Sequence, residues 1–245
     1  MSRLAQEVPA LVLGSVDYGD ADRIVQLLTP ERGRISALAR GARRSTKRFA
    51  GALDLGNRVT ASLRPGRGEL WHLQEAHLEH GRPHLRRDLD RIALAAYACE
   101  LVSVLAPQDQ PAPRLFGLLD VALLVLDAVT EPPRSAWRVG FEAKALSFSG
   151  LTPNLVSCDS CEEPLAEPLA FSPSAGSLRH AHCGEGRPVS LELARAIELA
   201  RRTPLAELVD VELPPGEPWL LYEHLQWHQG RPLRSRELLL ALPPS

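Results

Sequence analysis

Gly33-Arg-Ile-Ser-Ala-Leu-Ala-Arg-Gly-Ala-Arg-Arg-Ser-Thr-Lys-Arg48 changes character halfway along. Its first half alternates polar and apolar residues, the period of a strand with one face turned inward. At Gly41 it breaks into a basic, hydroxyl-bearing loop, and apolar residues resume at Phe49. No acidic residue lies between Glu31 and Asp54, whereas seven basic ones do: Arg32, Arg34, Arg40, Arg43, Arg44, Lys47 and Arg48. The chain as a whole has a formal net charge of -2, so this density is local. A basic arm without counter-charge is the footprint of a phosphate-binding surface. The plain alternative is a solvated loop kept soluble by arginine.

The flanking sequence decides what holds the arm. Val8–Val16, Arg23–Leu28, Gly33–Arg40, Arg58–Leu63 and Glu69–Ala76 read as five short strands. Asp17–Asp20, Thr29–Gly33 and Pro65–Gly68 separate them as turns. Five such strands at the start of a chain fit a small closed barrel of the oligonucleotide-binding type. Phe49 and Trp71 occupy strand-side positions that belong to a core, so Tyr18 is the better candidate for stacking on a base. Asp17, Asp20 and Asp22 lie at a turn opposite the arm in sequence. A magnesium-dependent nuclease built on them has no partnering carboxylates elsewhere.

From Pro83 the period becomes helical. Helices are predicted over Leu85–Leu105, Arg134–Ser149 and Leu191–Arg202, with a central, nearly all-apolar one over Arg114–Val129. Two more follow at Pro218–Gln229 and Arg234–Leu242, the last with its Leu238–Leu240 side packed inward. The chain thus divides at residue 80 into a strand domain, 1–80, and a helical domain, 81–245. Their net charges are +3 and -5. The fold class is α+β. With 245 residues, 44% hydrophobic and 24% charged, the composition is that of a globular protein with a substantial core. There is no secretory signal at Met1–Ala10 and no apolar run long enough to span a bilayer, so the expected location is cytoplasmic.

Four cysteines are too few and too unevenly placed for a disulfide scaffold. Cys99, among alanines on a helix, reads as a buried small hydrophobe. The other three form the sharpest chemical signal: Cys158-Asp-Ser-Cys161, then 18 residues, then His180-Ala-His-Cys183. Two knuckles at this spacing match a four-ligand zinc site within a segment of about 155–186. Cys158, Cys161 and Cys183 are three ligands. His180 is preferred to His182 as the fourth, because it repeats the two-residue gap and adjacent side chains diverge. A catalytic zinc of the deaminase kind lacks its His-x-Glu element. No Walker loop, nucleophile elbow or dinucleotide-binding glycine set is present, so no enzymatic activity is expected.

A resemblance now covers nearly the whole chain. Leu11-Val-Leu13, Tyr18–Arg23, Leu28–Gly33, Ala39–Arg44, Arg48-Phe49 and Gly68–Trp71 carry it in the strand domain. Phe141–Leu146, Gly150–Pro153, Cys158-x2-Cys161 and Phe171–Gly176 carry it beyond. Together they resemble the RecO family of bacterial recombinational-repair mediators. This sequence has His180 where that family usually has a cysteine. The resemblance implies an oligonucleotide-binding barrel, a helical domain and an inserted segment holding one structural zinc. It implies a non-enzymatic, nucleoid-associated protein that binds single- and double-stranded DNA and anneals complementary strands. It further implies that such a protein works with RecR to load RecA onto DNA coated by single-strand-binding protein (SSB), whose acidic C-terminal tail meets the helical domain. Arg34, Arg40, Arg43, Arg44, Lys47 and Arg48 are then the DNA-contacting candidates, and Arg138 and Lys144 the partner-binding ones. The competing reading is a zinc-containing protein–protein adaptor that does not touch DNA.

Overall fold

In a computed structural model, residues 5–45, 47–66, 68–216 and 219–241 are described. Thr46 of the arm, Arg67 of the predicted turn, Pro218 and Leu242 at predicted helix ends, and the first four residues lie outside them. The chain forms two compact units, Met1–Ala128 and Val129–Ser245. Residue 80 marks the change from strand to helix, whereas the compact units divide after Ala128.

The first unit opens with β1 (Gln6–Tyr18), β2 (Asp22–Thr29), β3 (Gly33–Ala39), β4 (Arg58–Arg64) and β5 (Leu70–His80). They close into a barrel in the order β1-β2-β3-β5-β4. The length of β1 makes closure possible. Its first half pairs antiparallel with β4, from Gln6–Leu63 to Leu11–Arg58, and its second half with β2. The register shifts between Val12 and Gly14. Closure is completed by a parallel pairing of β3 with β5, Ser36–Leu70 to Ala39–Leu73. Alternate side chains point inward, as the strand period requires: Val25 and Leu27, Ile35 and Ala37, Val59, Ala61 and Leu63, Trp71 and Leu73. Phe49, Ala52 and Leu53, from the segment after the arm, join that core.

Helices α1 (Leu89–Leu105) and α2 (Pro113–Ala128) complete this unit. The helix predicted from Leu85 begins four residues later, because Asp88 caps it: its side chain accepts the Arg91 N–H at 2.9 Å. Leu85–Arg87 forms a separate 3-10 turn. Cys99 is wholly buried on α1, and burial pushes its thiol up to about 12. Arg58, at the start of β4, bonds Glu79 at 2.9 Å and Asp120 of α2 at 2.5 Å. The buried Arg82 reaches the same Asp120 at 2.8 Å.

The second unit contains α3 (Ser135–Phe148), β6 (Leu169–Ser172), β7 (Ser177–His180), β8 (Arg187–Val189), α4 (Leu191–Arg202), α5 (Leu220–Gln229) and α6 (Arg234–Ala241). Gly150, with φ 81, follows α3 as its left-handed stop. Ser190 caps α4, its hydroxyl accepting the Leu193 N–H at 3.1 Å. The segment between the cysteine knuckles is a hairpin of β6 and β7, flanked by β8 in the order β7-β6-β8.

One expectation for α6 fails. Leu238 and Leu240 are 45% and 53% exposed, and the helix has no buried residue. Leu239, between them, is half-buried, and the guanidinium of Arg236 lies 4.7 Å from both the Trp219 and Tyr222 rings. This face carries a cation–aromatic contact in place of the expected Leu238 and Leu240.

Candidate metal centre and nucleic-acid interface

The metal centre is built by two short turns brought together by a sheet. Cys158 and Cys161 lie in the turn after Asn154, which bonds to the β6–β7 hairpin through Asn154 N to Gly176 O (2.8 Å) and Leu178 N to Asn154 O (2.9 Å). The Asp159 N–H adds a bond to Leu178 O at 3.0 Å. Its carboxylate accepts Arg179 Nη2 at 2.6 Å and the Ser177 hydroxyl. Burial opposes Asp159's charge, but these two donors hold its carboxyl below the usual range. The first knuckle is therefore fastened to β7, and β7 ends in His180.

The ligand atoms of Cys158, Cys161, His180 and Cys183 all lie within 4.8 Å of one another. His180 Nδ1 stands 3.4 Å from Cys161 Sγ and 3.9 Å from Cys183 Sγ. A tetrahedral zinc with ordinary Zn–S and Zn–N bonds places such atoms about 3.5 Å apart, so the geometry fits. Three thiols and an imidazole are also the soft donors that suit zinc. His180 Nε2 lies 3.2 Å from Pro164 O. The Ala166 N–H also points at Nε2, at 3.3 Å; with a metal on Nδ1, Nε2 would carry the ring proton and donate to Pro164 O. Burial works against ionising Cys158, yet the amides of Cys161, Ser160 and His180 bring its thiol down to about 6. These four residues could hold a metal ion. His182 stacks on His180, ring centroids 5.2 Å apart, and is exposed. The cluster contains His180 and not His182, as the knuckle spacing favours.

The basic arm lies between β3 and β4 and is not slack. Gly41 N donates to Asp22 Oδ1 at 2.8 Å, and Arg43 N to Ala21 O at 3.0 Å. Beyond Thr46, Ala76 N of β5 donates to Arg48 O at 2.9 Å. Phe49, 3% exposed, anchors the exit. The arm is clasped on one side by the β1–β2 hairpin and on the other by β5. The acidic turn is therefore not opposite the arm, as its sequence position suggested. Asp17 lies 3.0 Å from Arg23 and 3.4 Å from Arg43, and Asp22 holds the Gly41 amide. These carboxylates serve as a latch for the arm.

The candidate DNA-contacting residues separate into three groups. Arg40, Arg44 and Lys47 are exposed, and no carboxylate among the described residues pairs with them. Arg43 and Arg48 are exposed but engaged: Arg48 Nη2 donates to Arg40 O at 2.8 Å and its guanidinium lies over the Phe49 ring. Arg34 sits at the other end of β3, about 20 Å from Arg40 along the strand, with Nη2 3.4 Å from Gln108 Oε1. Tyr18 is 55% exposed at the end of β1, on the strand rather than in the turn, while Phe49 and Trp71 are core.

The partner-binding pair is mostly buried. Arg138 meets Glu142 at 2.5 Å and lies 4.1 Å over the Trp219 ring. It lines a cleft of about 160 Å³ with Leu193, Ile197, Leu213 and Leu220, and two carboxylates, Glu142 and Glu212, line the same cleft. Lys144 donates to Ala200 O at 2.6 Å and takes no part in that cleft. Burial, then the nearby Arg201, lower its ammonium to about 8. Two groups are not among the predicted site residues: Arg64 is not singled out by the sequence, and His72 reads there as a surface or turn residue. Arg64 and His72 line, with Arg40 and Arg48, a cleft of about 630 Å³ beside the arm. Only the β4–β5 register, which sets Arg64 opposite His72, could have found them.

Comparisons with known proteins agree over the whole length. The family model for the N-terminal part of recombination protein O matches residues 1–82, and that for its C-terminal part matches residues 86–237. The DNA repair protein RecO of Anaeromyxobacter sp. (strain K) is 38% identical over 252 residues, covering 97% of each chain. Those of Pelobacter propionicus and Myxococcus xanthus are 36% and 38% identical, covering 96% and 94% of this chain and 96% and 95% of their own. The five-stranded barrel followed by helices and a Cys3His cluster accords with these matches, and the chain belongs to the RecO family of DNA repair proteins.

Proposed function

We propose that this chain is a non-enzymatic mediator of recombinational repair that binds single- and double-stranded DNA and anneals complementary strands. The observation that supports it most is the arm: Arg40, Arg44 and Lys47 stand exposed without a described acidic partner on a loop clasped at both ends. Annealing requires two polyanions to approach, which calls for neutralised phosphates and no reading of bases. A latched arm presents its charges with little ordering cost. Exposed aromatics are scarce on the barrel, so binding is driven by charge more than by stacking and releases the strand readily. In the same reading the chain works in the bacterial cytoplasm, at the nucleoid. RecR is its partner, and RecA is loaded onto DNA coated by SSB. The cleft at Arg138 receives that protein's acidic C-terminal tail, the guanidinium serving as its counter-charge. One structural Zn²⁺ on Cys158, Cys161, His180 and Cys183 holds the β6–β7 hairpin.

The test is annealing of complementary oligonucleotides coated with SSB, by the parent and by the Arg44→Ala/Lys47→Ala variant. The variant is expected to anneal poorly, to bind all sequences more weakly alike, and to flatten the salt dependence of affinity by about 1.5 to 2 log units. Equal annealing by both proteins at moderate salt would mean the arm is only a solvated loop. Absence of DNA binding by the parent would leave the protein–protein adaptor in its place.

A further inference from the structure

One arginine touches both knuckles of the metal centre. Arg179 stands in β7 directly before the candidate ligand His180. On one side its Nη2 donates to the carboxylate of Asp159, the residue after Cys158, at 2.6 Å. On the other, the chain leaves Cys183 through Gly184, where a Cβ would fall 2.8 Å from Arg179 Nη1 and 3.0 Å from its Cδ. Arg179 thus sits against the chain neighbours of Cys158 and Cys183 and is itself the neighbour of His180. The side chains of Arg179 and Asp159 are only 22% and 19% exposed. Such a pair is held more firmly than an ion pair open to water.

Each knuckle is closed on itself, by Glu162 N to Cys158 O at 3.1 Å and by Cys183 N to His180 O at 2.8 Å. Those bonds shape the turns but do not set the distance between them. The first turn is placed on β7 by Asp159, whose N–H donates to Leu178 O at 3.0 Å and whose carboxylate accepts Ser177 and Arg179. Cys183 lies beyond the end of β7 and needs a fixed point of its own, which Gly184 packed on Arg179 supplies. We infer that Arg179 is a positioning residue for the metal: it sets the two knuckles at ligating distance, and Gly184 is small so that it can. The inference rests on the proposed zinc site and adds the part of the chain that assembles it. Donors placed by the fold have less order to gain on binding, which raises affinity. Residues that support a ligand shell in this way are typically worth roughly ten- to a hundredfold in metal affinity.

The test measures zinc affinity by competition with a chromophoric chelator, and the absorption of the cobalt-substituted site, for parent, Arg179→Ala, Gly184→Ala and the double variant. Melting curves of the metal-loaded proteins confirm the fold. Arg179→Ala is expected to bind zinc about tenfold more weakly, while its saturated cobalt spectrum stays that of a tetrahedral site of three sulfurs and one nitrogen. Gly184→Ala, whose added methyl strikes the Arg179 side chain, is expected to weaken zinc in the same direction. With Arg179 truncated the methyl loses the atoms it would strike, so the double variant should bind no more weakly than Arg179→Ala alone. Parental affinity in Arg179→Ala overturns the inference, and so does a double variant in which the two losses add. Should Arg179→Ala fail to fold, parental affinity in Gly184→Ala overturns it instead. A changed cobalt spectrum at saturation also does so, because Arg179 would then select the donors and not place them. If the parent binds neither metal, the zinc site itself falls, whereas a metal-binding parent with unaffected variants removes only the role of Arg179.

Discussion

Arg43, in the middle of the basic arm, lies 3.4 Å through Nε from the Asp17 carboxylate at the end of β1. Its Nη1 also approaches the carbonyls of Gly19 and Asp20, at 3.5 and 3.4 Å. A carboxylate and two carbonyl oxygens surround the guanidinium much as phosphate oxygens would. Asp17→Asn should therefore tighten DNA binding, by roughly two- to fivefold at low salt, by removing a negative charge beside the approaching phosphates. Both partners are solvent-exposed, so stability should change by less than about 1 kcal/mol. Affinity measured across salt concentrations reads this out. Weaker binding would mean that Asp17 matters more for aiming Arg43 than for competing with DNA.

The metal centre gives a prediction that separates two adjacent histidines. Purified protein should contain about one equivalent of zinc by elemental analysis. His180→Ala should lose it and His182→Ala should keep it, because His180 Nδ1 faces the sulfurs while His182 is the exposed ring stacked outside. Removing the metal with a chelator should loosen the β6–β7 hairpin, since a site of this kind contributes directly to local folding. Retention of zinc by His180→Ala would refute the ligand assignment.

The same hairpin is held from behind by a histidine. His224 of α5 is 3% exposed and its Nδ1–H donates to Pro173 O at 2.7 Å. Gly176, at φ 62, passes so close that a Cβ there would lie 2.4 Å from His224 Cε1. Burial, and then the neighbouring His228, lower the His224 pKa, while the bond to Pro173 works the other way. The folded state thus prefers the neutral ring. Its contribution is present above the unfolded value of about 6.5 and is lost as pH falls below it, because the unfolded chain takes up the proton. Urea midpoints should drop between pH 7.5 and 5.5 by more in the parent than in His224→Asn, which keeps a donor near Pro173 without a titrating ring. Parallel pH profiles for the two proteins would show that His224 does not couple to acid stability.

The strands were legible because their signal is local. Ile35 and Ala37, or Val59, Ala61 and Leu63, announce their inward face by period alone. The knuckles were legible for the same reason, their spacing being a property of a few adjacent residues. The parallel pairing of β3 with β5 was not, since Ala37 and Trp71 are far apart in sequence and nothing local specifies their meeting. That pairing creates the cleft in which Arg64 and His72 face the arm. Helix α6 shows the limit of periodicity from the other side. Leu238–Leu240 looked like a buried face, but only Leu239 is half-buried, and Arg236 is the residue that meets the Trp219 and Tyr222 rings. Likewise, sequence separation hid the latch between Asp22 and Gly41.

Arg138 tests whether a binding residue can be separated from a structural one. Glu142 is 1% exposed, and Arg138 Nη1 meets it at 2.5 Å. Arg138→Ala should therefore destabilise the second unit by about 3 kcal/mol or more, because it leaves a buried charge without this partner. The double variant Arg138→Gln/Glu142→Gln removes both charges while keeping the shapes close, and should recover much of that loss. It is the right protein for asking about the acidic tail. A peptide with an acidic C-terminus should bind the parent in a salt-sensitive way through Arg138, beside the walls formed by Leu193 and Ile197. The folded double variant should bind it about tenfold more weakly, the loss of roughly one charge-assisted hydrogen bond. If it binds the peptide like the parent, Arg138 serves only as the counter-charge of Glu142 and the tail docks elsewhere. If the double variant is no more stable than Arg138→Ala, the cation's place over Trp219 matters more than its pairing with Glu142.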